Sequence, residues 1–165
     1  MTDIQRLEND GQLKEIAELA EKIWHECFTE IISEEQICYM VEKFQSYNAM
    51  REQTENQDYY YLGVYENGVL CGYIGLKPEH DSRMFLSKLY LEKGSRGKGT
   101  ASEMLGRVFD EARKNGKKSV YLTVNKDNLH AIEVYTRKGF EIIDSVVTDI
   151  GGGFVMDDYI MQYRL

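Results

Sequence analysis

Apolar residues recur at helical spacing over residues 13 to 28, where Leu13, Ile16, Ala17, Ala20, Ile23, Trp24 and Cys27 share one face. That period predicts an amphipathic helix. A second helix is expected after Ser33, because "SEEQ" fits a capping box and Ile37, Met40, Val41 and Phe44 make an apolar stripe. The pattern then changes. "DYYYLGVYENGVLCGYIGL" holds two β-rich runs around Asn67-Gly68, a pair suited to a tight hairpin turn. "KPEHDSR" leads into a third strand, "MFLSKLYL". Beyond a glycine-rich segment, Met104, Leu105, Val108, Phe109 and Ala112 mark a helix that stops near Asn115-Gly116. "SVYLTVN" predicts another strand, "NLHAIEVYTRKGF" a short helix ended by Gly139, and two final strands flank the glycines at 151–153.

The order is two helices, a β-meander, a β-loop-α-β-α stretch and a hairpin. It predicts a mixed α/β sheet with one strand-helix-strand unit at its centre. With one proline and no Ser/Gly-rich linker, nothing divides the chain, and residues 1–165 are expected to form one domain. A chain of this length buries roughly two-thirds of the surface that its unfolded form exposes.

Composition changes this picture little. The chain is 42% hydrophobic and 29% charged, with twelve tyrosines suited to surfaces that are part buried and part wet. A formal charge of −8 argues against a nucleic-acid binder that works by general electrostatic attraction. It favours a cationic small substrate and equally serves plain solubility. Cys27, Cys38 and Cys71 are odd in number, widely spaced and without a C-x-x-C pair, which points to reduced thiols and no metal site. The start "MTDIQRLEND" is polar and no apolar run has membrane-spanning length, so a cytoplasmic protein is expected.

The candidate chemistry begins in "EKGSRGKGTASEML", residues 92–105. A Walker A loop needs G-x-x-x-x-G-K-[ST]; Gly94 and Gly99 have that spacing, but Thr100 and Ala101 follow where lysine and a hydroxyl belong. A dinucleotide fingerprint needs a third glycine, and Ser102 stands there. What remains is R-x-x-G-x-A: Arg96, Gly97, Lys98, Gly99, Thr100 and Ala101. Small residues here let successive backbone N–H groups line one concavity at a helix N-terminus, where a diphosphate is favoured. A plain strand-to-helix connector has the same look. A second pattern follows about 30 residues later: Asn128, Ala131, Tyr135, Gly139 and Phe140 form N-x-x-A-x-x-x-Y-x-x-x-G-F.

Together the two segments resemble the GCN5-related N-acetyltransferase (GNAT) superfamily, most specifically over residues 84–140 and in element order over the full chain. The resemblance implies an α+β fold with a mostly antiparallel sheet of six or seven strands, a central splayed parallel pair and about four flanking helices. It implies acetyl-coenzyme A as co-substrate, a primary amine as acceptor and no metal, and it leaves a homodimer open. Residues implied to hold the coenzyme are Leu89, Tyr90 and Leu91 on the strand, Arg96 to Ala101 in the loop, and Asn125, Asn128, Tyr135 and Lys138 beyond it. Tyr135 matches the family's general acid; it also sits where a core aromatic would, four residues after Ala131. Asn128 fits a helix cap as well as a coenzyme contact, and Asn125 fits a structural turn.

The base is named less directly. Glu79 is taken as the candidate, with His80, His25, Asp157 and Asp158 as further titratable residues; adjacent strand residues face opposite sides, so only one of the two aspartates can line a site. The aromatic and acidic stretch "WHECFTEIISEEQICYMVEKF" resembles the bacterial spermidine acetyltransferase branch. It suggests Trp24, His25, Phe28 and Asp157 as acceptor contacts, since carboxylates beside aromatic faces suit an alkylammonium. The same aromatics at helical spacing also read as core. Two other functions compete: acetylation of a protein N-terminus or lysine, and coenzyme binding without turnover.

Overall fold

The computed structural model describes residues 2–165. Seven strands form one sheet in the order β1-β2-β3-β4-β5-β7-β6, and all neighbours are antiparallel except β4 and β5. The strands are β1 (Thr2–Arg6), β2 (Tyr60–Glu66), β3 (Val69–Pro78), β4 (Arg83–Leu91), β5 (Ser119–Asn125), β6 (Glu141–Gly151) and β7 (Phe154–Arg164). Helices α1 (Asp10–Cys27), α2 (Glu34–Met40) and α3 (Tyr47–Asn56) precede the meander; α4 (Thr100–Lys114) and α5 (Leu129–Arg137) follow it. The mixed sheet is as the sequence pattern predicts, and its single parallel pair is as the family resemblance implies.

Local chemistry explains most boundaries. Asn67 and Gly68 both have positive φ, 53° and 80°, as the β2–β3 hairpin turn requires. Ser33 caps α2 by accepting from the Gln36 N–H at 3.1 Å. The reciprocal half of the capping box does not form, because the Gln36 side chain donates instead to the Val155 carbonyl at 3.0 Å. That bond ties α2 to β7.

Three features depart from the sequence reading. β1 carries a single partly buried apolar side chain, Ile4, and is held by pairing with β2. The second apolar run breaks after Met40 into a π-helical turn (Val41–Gln45), and Ser46 then caps a third helix, accepting from the Ala49 N–H at 3.1 Å. That third helix, α3, buries only Met50 and Gln53, too little for a visible stripe.

The sheet has a helical layer on each face. On one, α4 covers Leu62, Ile74, Leu86, Val120 and Leu122, with Tyr135 of α5 packed at the margin. On the other, α1 and α3 bury Ile16, Ile23 and Met50 over Tyr61 and Tyr73, and a separate cluster joins Trp24, Ile37 and Met40 to Ile150. The β6–β7 turn fits against Tyr39 of α2, whose hydroxyl donates to the Ile150 carbonyl at 2.7 Å. A Cβ on Gly151 would meet that hydroxyl at 2.5 Å, so glycine is required there.

Candidate active site

β4 and β5 pair only over Arg83–Phe85 and Ser119–Tyr121. The cause lies in β4. Leu76 of β3 pairs with Leu86 and Gly75 with Lys88, which leaves Ser87 as an extra, bulged residue. A bulge bends its strand away from the neighbour. Above it β4 stays with β3 as far as Leu91, while β5 stays with β7 as far as Asn125. The edges of Leu86–Leu91 and Leu122–Asn125 that would have met are therefore unpaired, and their N–H and C=O groups can receive an extended amide-bearing ligand. Stacked Phe85 and Tyr121 rings, 4.8 Å apart, mark the closed end. The bulge also changes the strand's phase: Met84, Leu86 and Leu91 face the α4 core, whereas Lys88 and Tyr90 point to the α1–α3 side.

At the top of β4 the chain makes a short 3-10 turn (Lys93–Ser95) and enters α4 through Gly97 and Gly99, at φ 80° and 82°. These left-handed conformations cost a side chain about 1–2 kcal/mol, so the two glycines suit the turn. No side chain caps α4. Its first free N–H groups, from Thr100 to Ser102, thus face outward together with the positive end of the helix dipole. Thr100 is held from behind, its hydroxyl donating to Glu66 at 2.9 Å, and Lys98 approaches the same carboxylate at 3.7 Å. Lys138, at the end of α5, hydrogen-bonds Ser102 and so brings a second cation to the cradle. Arg96 is turned inward: Nε and Nη2 each donate to the Leu91 carbonyl at 3.1 Å, and Nη2 lies 2.6 Å from Cys27 Sγ. It fixes the loop to the end of β4 and to α1.

Below the cradle, side chains approach the opening from both faces. Tyr135 packs edge-on against Phe140, ring centroids 5.4 Å apart, and burial pushes its hydroxyl up to about 12. From the other face, Tyr90 meets Trp24 and Phe28, which are themselves stacked at 4.2 Å. Tyr90 is raised well above the ordinary tyrosine value, first by burial and then by the nearby charges of Tyr135, Cys27 and Asp158. Asp158 sits opposite Asn125 at the end of the β5–β7 pairing and is 4% exposed. Burial, and then the charge of Asp157, push its carboxyl up to about 6, against a weaker pull from Lys126. Phe154 and Met156 belong to the Trp24 cluster, and strand alternation puts Asp158 on their face. Trp24 Nε1 is the one buried side-chain polar atom among the described residues that lacks a hydrogen-bond partner.

The remaining sequence candidates are dispersed. Glu79 stands beside the closed end, its Oε1 accepting from the Tyr121 hydroxyl at 2.9 Å. Asp157 lies on the face opposite Asp158, in an exposed ion pair with Lys126 at 2.9 Å. His25 lines a groove between α1 and the segment from Cys38 to Tyr47, outside the Trp24 cluster. Asn128 caps α5, accepting from the Ala131 N–H at 3.3 Å, and Asn125 accepts from the Asp127 N–H at 2.8 Å in the preceding turn. Lys88 was missed altogether. It is 3% exposed, and its ammonium donates to the Phe44 carbonyl and Gln53 Oε1, both at 2.7 Å, and to the Tyr61 hydroxyl.

A parallel pair splayed by a bulge, with an uncapped glycine-led helix at its mouth, is the architecture of an acyl-coenzyme A transferase of the GNAT type. The chain belongs to the Acetyltransferase (GNAT) family, whose model matches residues 16–140, and it is an acetyl-CoA-dependent N-acetyltransferase. Among relatives, the spermine/spermidine N(1)-acetyltransferase of Bacillus subtilis is 30% identical over 119 residues, covering 67% of this chain and 76% of that protein. An uncharacterized N-acetyltransferase of Mycobacterium tuberculosis is 33% identical over 104 residues, 63% of this chain and 66% of the relative. The fold is shared with the PaiA N-acetyltransferase of Thermoplasma acidophilum, solved with coenzyme A, at a TM-score of 0.83 and 24% identity over 100% of this chain and 99% of that one. No helix among the described residues is long and apolar enough to cross a membrane.

Proposed function

We propose that the protein transfers the acetyl group of acetyl-coenzyme A to a primary amine of a small polyamine, by direct attack within a ternary complex. The observation that carries this reading is Asp158: a buried carboxylate on the acceptor face, beside Tyr90, at the mouth of the unpaired strands. The α4 cradle, with Lys98 and Lys138 near it, receives the diphosphate, and the free edge of β4 from Leu89 to Leu91 pairs with the pantetheine amides. Trp24, Phe28 and Tyr90 offer aromatic faces to an alkylammonium. The formal charge of −8 and the activity named for the Bacillus relative support a polycationic acceptor.

An alkylamine with a pKa of about 10.4 is almost wholly protonated at neutral pH, and freeing its lone pair costs about 4–5 kcal/mol. Asp158, ionised above about pH 6, takes that proton while the nitrogen bonds to the thioester carbon. The carbonyl electron pair moves to oxygen, where the Leu89 N–H on the free edge of β4 stabilises it. Collapse then expels the coenzyme sulfur. Its conjugate thiol has a pKa of about 8.5, well below that of Tyr135, so the phenol assists as a hydrogen-bond donor to the departing thiolate. The proton released by nitrogen restores the thiol.

Thiol release measured with spermidine, spermine, simple alkylamines and peptides tests the reading. Polyamines are expected to give the highest kcat/KM. Turnover confined to peptides would replace the acceptor class, and tight coenzyme binding without any turnover would leave a binding module.

A further inference from the structure

The turn between α1 and α2 carries a side-chain cluster that acetyl transfer does not use. His25 lies in the last turn of α1, Glu34 in the first turn of α2, and Cys38 one turn beyond it. Their ligand atoms all lie within 4.8 Å of one another. His25 Nδ1 is 2.9 Å from Glu34 Oε1, and Cys38 Sγ is 4.0 Å from the same oxygen. The backbone sets this convergence. Ser33 fixes the phase of α2, four-residue spacing puts Glu34 and Cys38 on one face, and the N–H groups of Ile31 and Ile32 both bond the Phe28 carbonyl at 3.0 Å, which fixes the connecting loop.

We propose that His25, Glu34 and Cys38 form a site for a divalent transition metal of the zinc class. Imidazole nitrogen, carboxylate oxygen and thiolate sulfur are the three donor types that zinc accepts together, whereas magnesium and calcium call for oxygen alone. Zinc bonds of about 2.0–2.1 Å to nitrogen and oxygen and about 2.3 Å to sulfur place tetrahedral ligands about 3.3–3.6 Å apart. One measured separation lies below that range and the other above it, so the three side chains must shift to close on a cation. An exposed His–Glu pair contributes little by itself. The Cys38 thiol donates to the same Glu34 oxygen, and a divalent cation between them would take the place of that proton. His25 and Cys38 also line a groove of about 430 Å³ between α1 and the segment from Cys38 to Tyr47, where Glu18, Glu21 and Glu42 could supply a further oxygen ligand.

Bound there, the metal would join the end of α1, which bears Trp24 and Phe28, to the start of α2. The test is a titration of the reduced, metal-stripped full chain with Co(II). A thiolate-to-cobalt charge-transfer band in the near ultraviolet should saturate at one equivalent and disappear when Zn(II) displaces cobalt. Cys38→Ser should abolish the band and Cys27→Ser should keep it. His25→Ala and Glu34→Gln should each weaken Co(II) binding by at least the about tenfold that loss of a lesser, outer-shell partner costs. Far-UV circular dichroism checks that each variant is folded. Absence of the band at one equivalent, or its survival in Cys38→Ser, would overturn the proposal and reduce the trio to an ion pair beside a free thiol.

Discussion

The two sides of the splayed pair are built by different means. On the coenzyme side, Arg96 to Ala101 and Asn128 to Phe140 are two continuous segments, and much of their chemistry lies in the backbone: left-handed glycines, an uncapped helix and an unpaired strand edge. On the proposed acceptor side, Trp24, Tyr90 and Asp158 come from α1, β4 and β7 and meet only because the sheet brings them together. A fixed cofactor is recognised through main-chain geometry that tolerates most neighbouring side chains. An amine is recognised through individual side chains, so a single substitution there should change the outcome more.

Asp158→Asn is therefore expected to have the largest effect, lowering kcat/KM by about 10²–10³-fold, within the range for loss of a positioned base. In the unaltered enzyme kcat/KM should rise with pH through about 6, where Asp158 ionises, and the Asn variant should lose that limb. Stability should move the other way. Because folding raises the Asp158 pKa from 3.8 to about 6, the folded chain holds more protons than the unfolded one between these values, and stability falls as pH rises through that window. The Asn variant, free of that penalty of roughly 3 kcal/mol, should melt higher at pH 7, by up to roughly 6–12 °C. A variant with full activity and an unchanged limb would return the base to Glu79 or to water.

Tyr135→Phe tests the coenzyme side at its one side-chain contribution to chemistry. On the proposed mechanism the phenol stabilises a thiolate without full proton transfer, so a loss of about 10–10²-fold in kcat is expected, with KM for acetyl-coenzyme A within about twofold. An unchanged kcat would reduce Tyr135 to the aromatic packed on Phe140.

The same contrast explains what could be read from the residues alone. Asn67-Gly68, "SVYLTVN" and the Gly139 stop are local signals, and the structure has a turn, a strand and a helix end at each. β1 has no such signal, since five residues with one apolar side chain become a strand only against β2. α3 is polar because it is held by a cap and by Gln53, which bonds the Phe44 carbonyl at 3.1 Å, more than by an apolar stripe. In the site, alternation shows that only one of Asp157 and Asp158 can face the opening. The residues alone do not choose between them: Phe154 and Met156 are in phase with Asp158, but Val155, Tyr159 and Met161 are in phase with Asp157. His25, Glu34 and Cys38 could not be grouped without the angle at which α2 turns back on α1. Lys88 could not be read as buried, because a lysine in a strand signals an exposed face until the Ser87 bulge redirects it.

Gly99→Ala should act only through the backbone. A methyl group has open space at that position, so its cost is the left-handed φ of 82°. KM for acetyl-coenzyme A should rise about 5–30-fold, which corresponds to about 1–2 kcal/mol, with kcat nearly unchanged. Equal loss in kcat would mean that the loop positions the thioester as well as binding the diphosphate.

The smallest effect on kcat/KM is expected at Lys88, which lies on the same face as Tyr90 but behind the aromatic cluster. Its ammonium is held by three neutral oxygens, and burial lowers its pKa from 10.5 to about 7. Between those values the unfolded chain binds more protons than the folded one, so this group makes stability rise with pH. Lys88→Met should remove that slope. Denaturant unfolding of the two chains from pH 7 to 9, below the range in which tyrosines ionise, should give a difference that changes by on the order of 2 kcal/mol, with kcat/KM within about threefold. A flat difference with a strongly destabilised Met variant would mean that the three acceptors keep the ammonium charged. Lys88 would then be the hydrogen-bonded hub that ties the π-helical turn and α3 to β4, and the acceptor side would rest on one buried cation as well as on aromatic packing.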